Sequence, residues 1–338
     1  MTGAWLQYNR RQRSFLDGIN MQDLTIGIQV TQGESSEAID AFVHAEQLGI
    51  DAAWMTLGGV RIDPTAVCVG AALRTERIMI GTSIVPIFPR HPWALAQEAK
   101  VVAELAPGRF RLGIGPSHKE SVESSWGLTF ESPLRYMREY VELLDAALHR
   151  GGPIKHEGRY FRVEADWGEA VRLDIMISAL RQHAFELAGE CADGGISWVS
   201  PQAHIERVAI PALEAGSSRV GRHPRAKVVM HAIACVHDDL KEARDAGLAQ
   251  FAHYPSRPFY RNMFIEAGFP EAAEGKMSPA MADSILLAGD EQAVERRLRT
   301  IAATGIDEVL LSVVGAGNNR ASSVERTLRF LGDVSQTD

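Results

Sequence analysis

Cysteine is scarce in this sequence of 338 residues. Its three cysteines, Cys68, Cys191 and Cys235, lie far apart, and no two of them form a Cys-x-x-Cys pair. This spacing excludes a disulfide framework and the ligand pattern of a zinc site. Few cysteines, in an odd number, are typical of a reducing compartment, so we expect a cytoplasmic protein.

Long apolar runs and an excess of positive charge are also missing. No apolar run approaches the ~20 residues that a membrane-spanning helix needs, and residues 1–22 lack the apolar segment of a signal peptide. We expect residues 1–22 to form a solvated N-terminal arm, which carries Arg10, Arg11 and Arg13. The net charge of −8 argues against nucleic acid or an anionic membrane as the main partner.

Several motifs that carry chemistry are absent. The eleven histidines form no His-x-x-x-His or His-Glu-x-x-His pair, so we expect no metal site. No Gly-x-Ser-x-Gly motif marks a hydrolase nucleophile. No Gly-x-Gly-x-x-Gly motif follows the first apolar segment, where a dinucleotide-binding fold would carry it. Redox chemistry with a bound organic cofactor needs none of these motifs.

What the sequence does contain is a regular alternation of short apolar segments with amphipathic helical segments. The apolar segments are nearly continuous, as expected of parallel strands that are buried on both faces. Eight of them alternate with helices, which favours a closed (β/α)8 TIM barrel over a doubly wound open sheet. The eight predicted strands cover residues 24–30, 51–57, 77–86, 109–116, 173–180, 195–200, 226–236 and 306–315.

The chain is longer than the ~250 residues of a plain barrel, and we assign the excess to insertions in a single domain of residues 23–338. The insertions are predicted near 117–132, 152–172 and 255–282. The last stretch is proline-bearing, which is typical either of a lid over a binding site or of surface packing or a dimer contact. Aromatic and apolar residues accompany it: Tyr254, Phe259, Tyr260, Met263 and Phe264.

A barrel enzyme places its active site at the carboxyl ends of the strands. His118 follows the fourth predicted strand, where a histidine can act as an acid or a base near neutral pH. Trp198, near the end of the sixth strand, is either a core residue or a flat ring that stacks on a ligand. Side chains at the ends of the first and second strands complete the candidate substrate site: Gln29, Thr56 and Leu57.

Four segments, in this order, are similar to those of the bacterial-luciferase-like flavin and deazaflavin oxidoreductases. They are IGTSIVPIFPRHPWALAQEA, PGRFRLGIGPSH, WGLTFESPLRYMREYVELL and LAGECADGGISWVSP. The resemblance extends over about residues 24–315 and is closest to the branch that uses the deazaflavin coenzyme F-420. It implies a TIM barrel with insertions and an oxidoreductase activity.

The resemblance also implies where a cofactor binds. In the family, a bulge after the third strand carries a non-proline cis peptide bond that supports the central ring of the flavin, and the matching bond here is Ser83–Ile84. Val85 and Pro86 would lie close to the same ring. The cofactor tail and phosphate would run toward the loops after the fourth and fifth strands, at Pro116, Ser117, Ser121, Leu180 and Arg181.

Departures from the family pattern bear on the substrate. Leu57 and Gly58 stand where sugar-phosphate dehydrogenases of the family carry an Asp-His pair, and His118 replaces their acid after the fourth strand. Trp198 and Pro201 stand in place of their Thr and Lys that bind the substrate phosphate. These changes disfavour a sugar phosphate and favour a lipophilic or aromatic substrate.

A further departure lies at the cofactor phosphate. Arg181 and Gln182 replace a Gly-Gly or Gly-Pro pair that many relatives place at the start of the fifth helix, where backbone N–H groups meet the phosphate. Arg181 would either bind the phosphate with its fork of donors or block the tail.

Three functions follow as alternatives. The first is an F-420-dependent oxidoreductase that transfers hydride to or from a small, largely uncharged organic substrate, with His118 as proton donor or acceptor. The second is an FMN-dependent luciferase-like monooxygenase, which would receive reduced flavin from a partner flavin reductase. The third is a cofactor-free barrel that acts as a binding protein or a non-redox enzyme. Because members of the resembled family are commonly dimers, we expect a homodimer.

Overall fold

The computed structural model describes residues 21–31, 33–56 and 61–336. Almost all of the predicted N-terminal arm lies outside these residues, and so do Leu57 and Gly58. In chain order the strands are β1 (Thr25–Val30), β2 (Ala52–Met55), β3 (Met79–Thr82), β4 (Val85–Pro86), β5 (Phe110–Gly115), β6 (Pro153–Glu157), β7 (Arg162–Asp166), β8 (Asp174–Ser178), β9 (Gly194–Ile196), β10 (Lys227–Val236), β11 (Leu286–Gly289) and β12 (Glu308–Val313).

Eight of these strands close into a parallel barrel, which confirms the predicted (β/α)8 TIM barrel. Their order around the barrel is β1, β2, β3, β5, β8, β9, β10 and β12, and β12 returns to β1. At the closing pair, Thr25 of β1 lies opposite Glu308 of β12. The carboxyl ends of all eight strands meet at one end of the barrel, which we call the mouth.

β11 has no counterpart among the eight predicted strands. It pairs with residues 233–236 of β10, whereas β9 pairs only with residues 227–229 of the same strand. Because β10 is ten residues long, its edge extends beyond β9, and β11 covers that extension. A four-residue apolar segment next to an insertion cannot be told from a helix end by periodicity alone, which explains why it was missed.

Helices cover the outside of the barrel. Asp63 caps the second of them by accepting a hydrogen bond from the Ala66 N–H at 3.0 Å. In chain order the helices are α1 (Ser35–Gln47), α2 (Pro64–Arg74), α3 (Pro92–Leu105), α4 (Pro133–Asp145), α5 (Gln182–Cys191), α6 (Gln202–His204), α7 (Ile210–Arg219), α8 (Leu240–Phe251), α9 (Pro258–Glu266), α10 (Pro279–Ile285), α11 (Glu291–Ala302) and α12 (Arg320–Ser335). Short turns of 3₁₀ helix (Met21–Asp23, Tyr254–Ser256, Pro270–Glu274) and π helix (Ser121–Ser125, Ala146–Arg150, Ile205–Ala209) lie between them.

A buried polar cluster fills part of the barrel interior. Trp54 Nε1 donates a hydrogen bond to Glu308 Oε1 at 2.5 Å, and Arg111 forms an ion pair with the same carboxylate. Gly81 makes room for the indole, because a Cβ added there would lie 2.3 Å from Cε3 of Trp54. The paired charges are thereby enclosed without an isolated ion in the interior.

An antiparallel hairpin, β6–β7, lies outside the barrel within residues 152–172. Glu139 of α4 anchors the hairpin turn, because its carboxylate accepts hydrogen bonds from the N–H groups of Arg159, Tyr160 and Phe161. These charge-assisted bonds lower the pKa of Glu139 against the opposing effect of burial.

A longer excursion from the barrel runs from the end of α8 to the start of β11 and contains α9 and α10. We call residues 254–285 the mouth segment. Its apolar side chains, including Met263 and Phe264, form a buried cluster with Val199 and Ile233 beside the mouth. The mouth segment is therefore packed onto the barrel and not a free surface loop.

Two further observations concern the described residues alone. Among them, no helix has the length and apolar content needed to cross a membrane. In the same ranges, no three His, Cys, Asp or Glu side chains are grouped so that they could hold a metal ion. The three cysteines form no disulfide.

Candidate active site

The third barrel strand ends in a bulge at the mouth. β3 stops at Thr82, and β4 pairs with Ile114 and Gly115 of β5. Between them the Ser83–Ile84 peptide bond is cis, the geometry that the family resemblance implies. Thr82 Oγ1 donates a hydrogen bond to the Gly113 carbonyl at 2.8 Å and accepts one from the Gly113 N–H at 2.9 Å. The threonine side chain therefore holds the bulge against β5.

A cavity of about 1110 Å³ opens at the mouth. Ligand pockets for drug-sized molecules are usually about 300–1,000 Å³, so this cavity has room for a ring cofactor and a small substrate together. It is lined by the bulge, by the segments that follow β5, β8 and β9, by α4 and by the mouth segment. The predicted site residues that line it are Thr56, Ser83, Ile84, Pro116, Ser117, His118, Ser121, Leu180, Arg181 and Trp198.

Three predicted site residues do not line this cavity. Val85 and Pro86 are buried in β4, and Val85 packs into the main apolar core. Gln29, at the end of β1, instead accepts a hydrogen bond from the Ser312 hydroxyl. Its side chain is used inside the barrel, so the prediction that Gln29 contacts substrate gains no support from the geometry. Leu57 lies outside the described residues, and its role stays a prediction.

His118 is partly buried in the cavity wall after β5. Burial, together with the positive charges of Arg257 and His253, lowers the pKa of its imidazole to about 4. The ring is therefore neutral at pH 7. Of the two predicted roles, a neutral ring favours the proton acceptor.

The mouth segment supplies cavity residues that do not follow from strand ends. The aromatic residues among them lie in or next to residues 255–282, for which the sequence predicts either a lid or surface packing or a dimer contact. Arg257 and Glu266 were missed, because single charged residues in an insertion form no recognisable pattern. The lining residues from this segment are Tyr254, Arg257, Phe259, Tyr260 and Glu266.

Helix α4 supplies a second group that sequence reasoning missed. Pro133, Leu134 and Met137 line the cavity from its first turns. Met137 lies three residues after Leu134 and four after Pro133, so the three share a helix face, which the pattern alone assigns to core packing.

Trp198 lies between the barrel core and the cavity. One face of its indole stacks on the fully buried His231, with ring centroids 3.7 Å apart and ring planes 19° from parallel. The residue also lines the cavity, and its Nε1 donates a hydrogen bond to the Tyr254 hydroxyl at 2.6 Å. The indole is thus held from below by the barrel and from the side by the mouth segment.

Arg181 immediately precedes α5 and forms an ion pair with Glu266 at the end of α9. Nε of Arg181 lies 2.7 Å from Oε1 of Glu266. Both residues line the cavity, so their charges meet at its edge. An anionic group that bound Arg181 there would have to share or displace this carboxylate.

Comparison with known proteins decides the family. A model of the luciferase-like monooxygenases matches residues 23–308. The chain belongs to this family. The predicted membership is confirmed, and with it the prediction of an oxidoreductase of the luciferase-like type.

Three relatives of this luciferase-like protein cover much of its length. An uncharacterised protein of Mycobacterium tuberculosis is 28% identical over 308 residues, 81% of this chain and 89% of that protein. An F-420-dependent glucose-6-phosphate dehydrogenase of Microbacterium testaceum is 33% identical over 205 residues, 55% of this chain and 60% of that protein. A 5,10-methylenetetrahydromethanopterin reductase of Archaeoglobus fulgidus is 25% identical over 311 residues, 85% of this chain and 91% of that protein.

Solved structures share the barrel. An F-420-dependent secondary alcohol dehydrogenase in complex with an F-420-acetone adduct has a TM-score of 0.78 at 17% identity and covers 93% of this chain and 99% of its own. The oxygenating constituent of 3,6-diketocamphane monooxygenase from Pseudomonas putida, in complex with FMN, has a TM-score of 0.71 at 18% identity and covers 92% and 97%. At these identities the likeness establishes the fold alone.

Proposed function

We propose that this protein is a coenzyme F-420-dependent oxidoreductase that transfers hydride to or from a small, largely uncharged organic molecule. The observation that carries the proposal is the cavity at the barrel mouth, which has room for a flat ring beside a small substrate. A positively charged side chain and a helix start lie at its edge. The names of one relative and one structural neighbour, both F-420-dependent, support this cofactor.

The cavity residues fit the ring of such a cofactor. Thr56 Oγ1 is buried at the cavity wall and has no hydrogen-bond partner among the described residues, which suits a polar atom of a bound ring. Gly115 lies behind two side chains that line the cavity, because a Cβ there would lie 2.5 Å from Ser178 Oγ and 2.8 Å from Ile84 Cδ1. The absence of a side chain at Gly115 therefore lets Ser178 and Ile84 keep their places in the cavity wall.

The cavity edge fits an anionic tail. α5 begins there, and the first N–H groups of a helix have no acceptors within the helix. Arg181 precedes those groups, and Arg257 lines the same cavity without an ion pair among the described residues. A phosphate-bearing tail would be held by these donors.

The chain's own part in the chemistry is to orient the substrate, exclude water and move a proton. A bound deazaflavin would supply a ring carbon that accepts or donates hydride. As hydride leaves the carbon of a secondary alcohol, an imidazole nitrogen of the neutral His118 accepts the hydroxyl proton, which leaves a ketone. Tyr260, which is almost fully buried, and Trp198 keep the wall apolar.

Titration with both cofactors tests the proposal. We expect the purified protein to bind F-420 with micromolar or better affinity, measured by quenching of deazaflavin fluorescence, and to bind FMN more weakly. Binding of FMN alone would favour the second candidate, and binding of neither would favour a cofactor-free barrel.

An FMN-dependent monooxygenase is that second candidate, because the matching family is described as luciferase-like monooxygenases. It would use reduced flavin from a partner reductase in a cavity shielded from water. Oxygen consumption with reduced FMN, compared with anaerobic hydride transfer from reduced F-420, separates the two functions.

We also propose a homodimer in the cytoplasm. Leu73 of α2 and Val101 and Leu105 of α3 are large apolar side chains exposed on helices that pack side by side. Such exposed apolar residues suit a subunit contact. Sedimentation velocity of Val101→Glu tests this: the wild type should be a dimer and the variant a monomer.

The proposed location in the cytoplasm has a separate support. Three free cysteines are consistent with a reducing compartment.

A further inference from the structure

The hydroxyl proton of Tyr254 has no acceptor among the residues that the structure describes. Its oxygen accepts the Trp198 indole N–H at 2.6 Å, and an indole can only donate. The tyrosine O–H must therefore donate elsewhere. Among the described residues no other hydrogen bond to this hydroxyl exists, and Tyr254 lines the cavity.

Trp198, the hydrogen-bond partner of Tyr254, stacks on a histidine whose ring orientation is fixed by hydrogen bonds. His231 Nδ1 accepts the Val199 N–H at 3.1 Å, so its Nε2 carries the proton and donates to Ser312 Oγ at 2.8 Å. Ser312 in turn donates to Gln29. The chain of bonds fixes the imidazole plane on which Trp198 stacks.

The hydroxyl stays a neutral donor at physiological pH. Burial raises the pKa of Tyr254, although the Trp198 hydrogen bond and the positive charge of Arg257 oppose that effect. Neighbouring rings fix the side chain: Tyr260 packs edge-on at 4.6 Å, and Phe251 stacks at 5.9 Å between ring centroids. The O–H group is therefore a pre-oriented neutral donor.

We propose that Tyr254 is the specificity-determining residue that donates a hydrogen bond to the carbonyl or hydroxyl oxygen of the substrate. The substrates are then ketones or aldehydes and the corresponding alcohols, not simple alkenes, which offer no acceptor. This inference rests on the proposed function for the reaction itself. The oxygen contact, however, is a property of the cavity and needs no cofactor.

His118 complements this contact. Its ring packs near Tyr260, with centroids 6.0 Å apart, and Tyr254 packs on the same tyrosine. An alcohol oxygen could accept from Tyr254 while its own proton is donated to the neutral His118. Recognition by a donor and an acceptor rejects molecules that lack an oxygen, because a buried polar group would then be left unpaired.

Binding of two probes to the cofactor-free protein tests the assignment. Acetophenone carries the acceptor oxygen, and α-methylstyrene replaces it by a methylene group of similar shape. We expect the wild type to bind acetophenone about five- to tenfold more tightly than α-methylstyrene, as one hydrogen bond would give. Tyr254→Phe should abolish the preference and leave α-methylstyrene binding unchanged.

Tyr160→Phe is the matched control, since it removes a tyrosine hydroxyl from a residue that does not line the cavity. It should keep the preference. Infrared spectra give a signature that altered packing would not produce: the carbonyl stretch of bound acetophenone should shift to lower frequency in the wild type and in Tyr160→Phe, and not in Tyr254→Phe.

Three results would overturn the inference. They are equal binding of acetophenone and α-methylstyrene by the wild type, no binding of either, or a preference that Tyr254→Phe retains. Failure of F-420 to bind while the oxygen preference persists would instead refute the proposed function and leave this inference standing.

Discussion

Arg181 and Glu266 join the start of α5 to the end of α9, with 2.7 Å between Nε and Oε1. The pair ties the mouth segment to the barrel at the edge of the cavity. Both side chains are partly exposed, and such pairs contribute only about 0.2–1 kcal/mol. An incoming phosphate would therefore replace Glu266 at small cost, and we propose on this ground that Arg181 binds the tail and does not block it.

This relationship predicts the effect of removing the carboxylate. Glu266→Gln should tighten F-420 binding about two- to fivefold, because the phosphate no longer competes for Arg181. Arg181→Gly should weaken it. Fluorescence titration at low and high salt measures both, and the gain should shrink as salt rises.

Glu274→Gln is the control for charge alone, since Glu274 is exposed in the same segment but does not line the cavity. It should leave the affinity unchanged. Tighter binding by Arg181→Gly would contradict the assignment and show that the guanidinium blocks the tail.

A second prediction concerns the pH dependence of His118. The base must be neutral, so the rate of F-420-coupled oxidation of 1-phenylethanol should fall as pH drops through about 4 and stay level from about pH 6 to 8. His118→Ala should lower the rate about 10²- to 10⁴-fold with unchanged F-420 binding. Stopped-flow absorbance of the deazaflavin follows both.

His253→Ala provides the comparison for that profile. His253 contributes positive charge that lowers the pKa of His118, so its removal should move the acid limb upward and keep the plateau rate. An acid limb near 6.5 in the wild type would refute a neutral buried base.

A third prediction concerns acid stability. Burial lowers the pKa of His231 to about 3, whereas an unfolded histidine has a pKa of about 6.5. The unfolded chain thus binds a proton below pH 6.5 that the folded chain excludes, so the free energy of unfolding falls as pH drops toward 4. Urea unfolding should show a loss on the order of 2 kcal/mol from this group between pH 7 and 4.

His231→Phe should flatten that dependence, although it also lowers stability at pH 7 by leaving the Val199 N–H unpaired. His183→Gln is the control, because its side chain is 82% exposed and should not alter the slope. An unchanged slope in His231→Phe would contradict a neutral buried imidazole.

A fourth prediction separates two glycines of β5. Gly115→Ala should push against the flexible ends of Ile84 and Ser178 and reduce F-420 affinity at least tenfold with a small change in Tm. Gly113→Ala should lower Tm by several degrees, because its Cβ would lie 1.9 Å from the Thr82 carbonyl oxygen. Thermal unfolding beside the F-420 titration distinguishes them, and equal effects on both measurements would contradict the geometry.

Much of the fold follows from the sequence because continuous apolar strands between amphipathic helices have few other solutions. The ends of the strands are predicted less accurately than the strands themselves: the sixth strand, predicted at 195–200, is Gly194–Ile196. Glycines at its start indicate a turn by local rules, yet they pair within the barrel between β8 and β10. Tertiary pairing overrode the local preference.

The residues of the candidate site likewise fall into those that the sequence predicts and those that it does not. Residues at strand ends, such as His118 and Thr56, can be found because the barrel directs all strand ends to one mouth. Tyr254 and Glu266 cannot, because their position depends on how an insertion packs back across the mouth. Gln29 is the converse case. It lies near the end of a strand, but its side chain accepts a hydrogen bond from Ser312 inside the barrel and does not line the cavity.

The mouth segment has an evolutionary consequence. Its residues 254–266 provide both the hydroxyl at Tyr254 and the carboxylate at Glu266, while the bulge and β5 belong to the barrel. Exchange of this one stretch between relatives could therefore alter which substrates are accepted and how readily the tail enters, while the ring-binding half of the cavity stays unchanged. Substrate selectivity can therefore evolve by changes within residues 254–266, without changes in the barrel residues proposed to bind the redox ring.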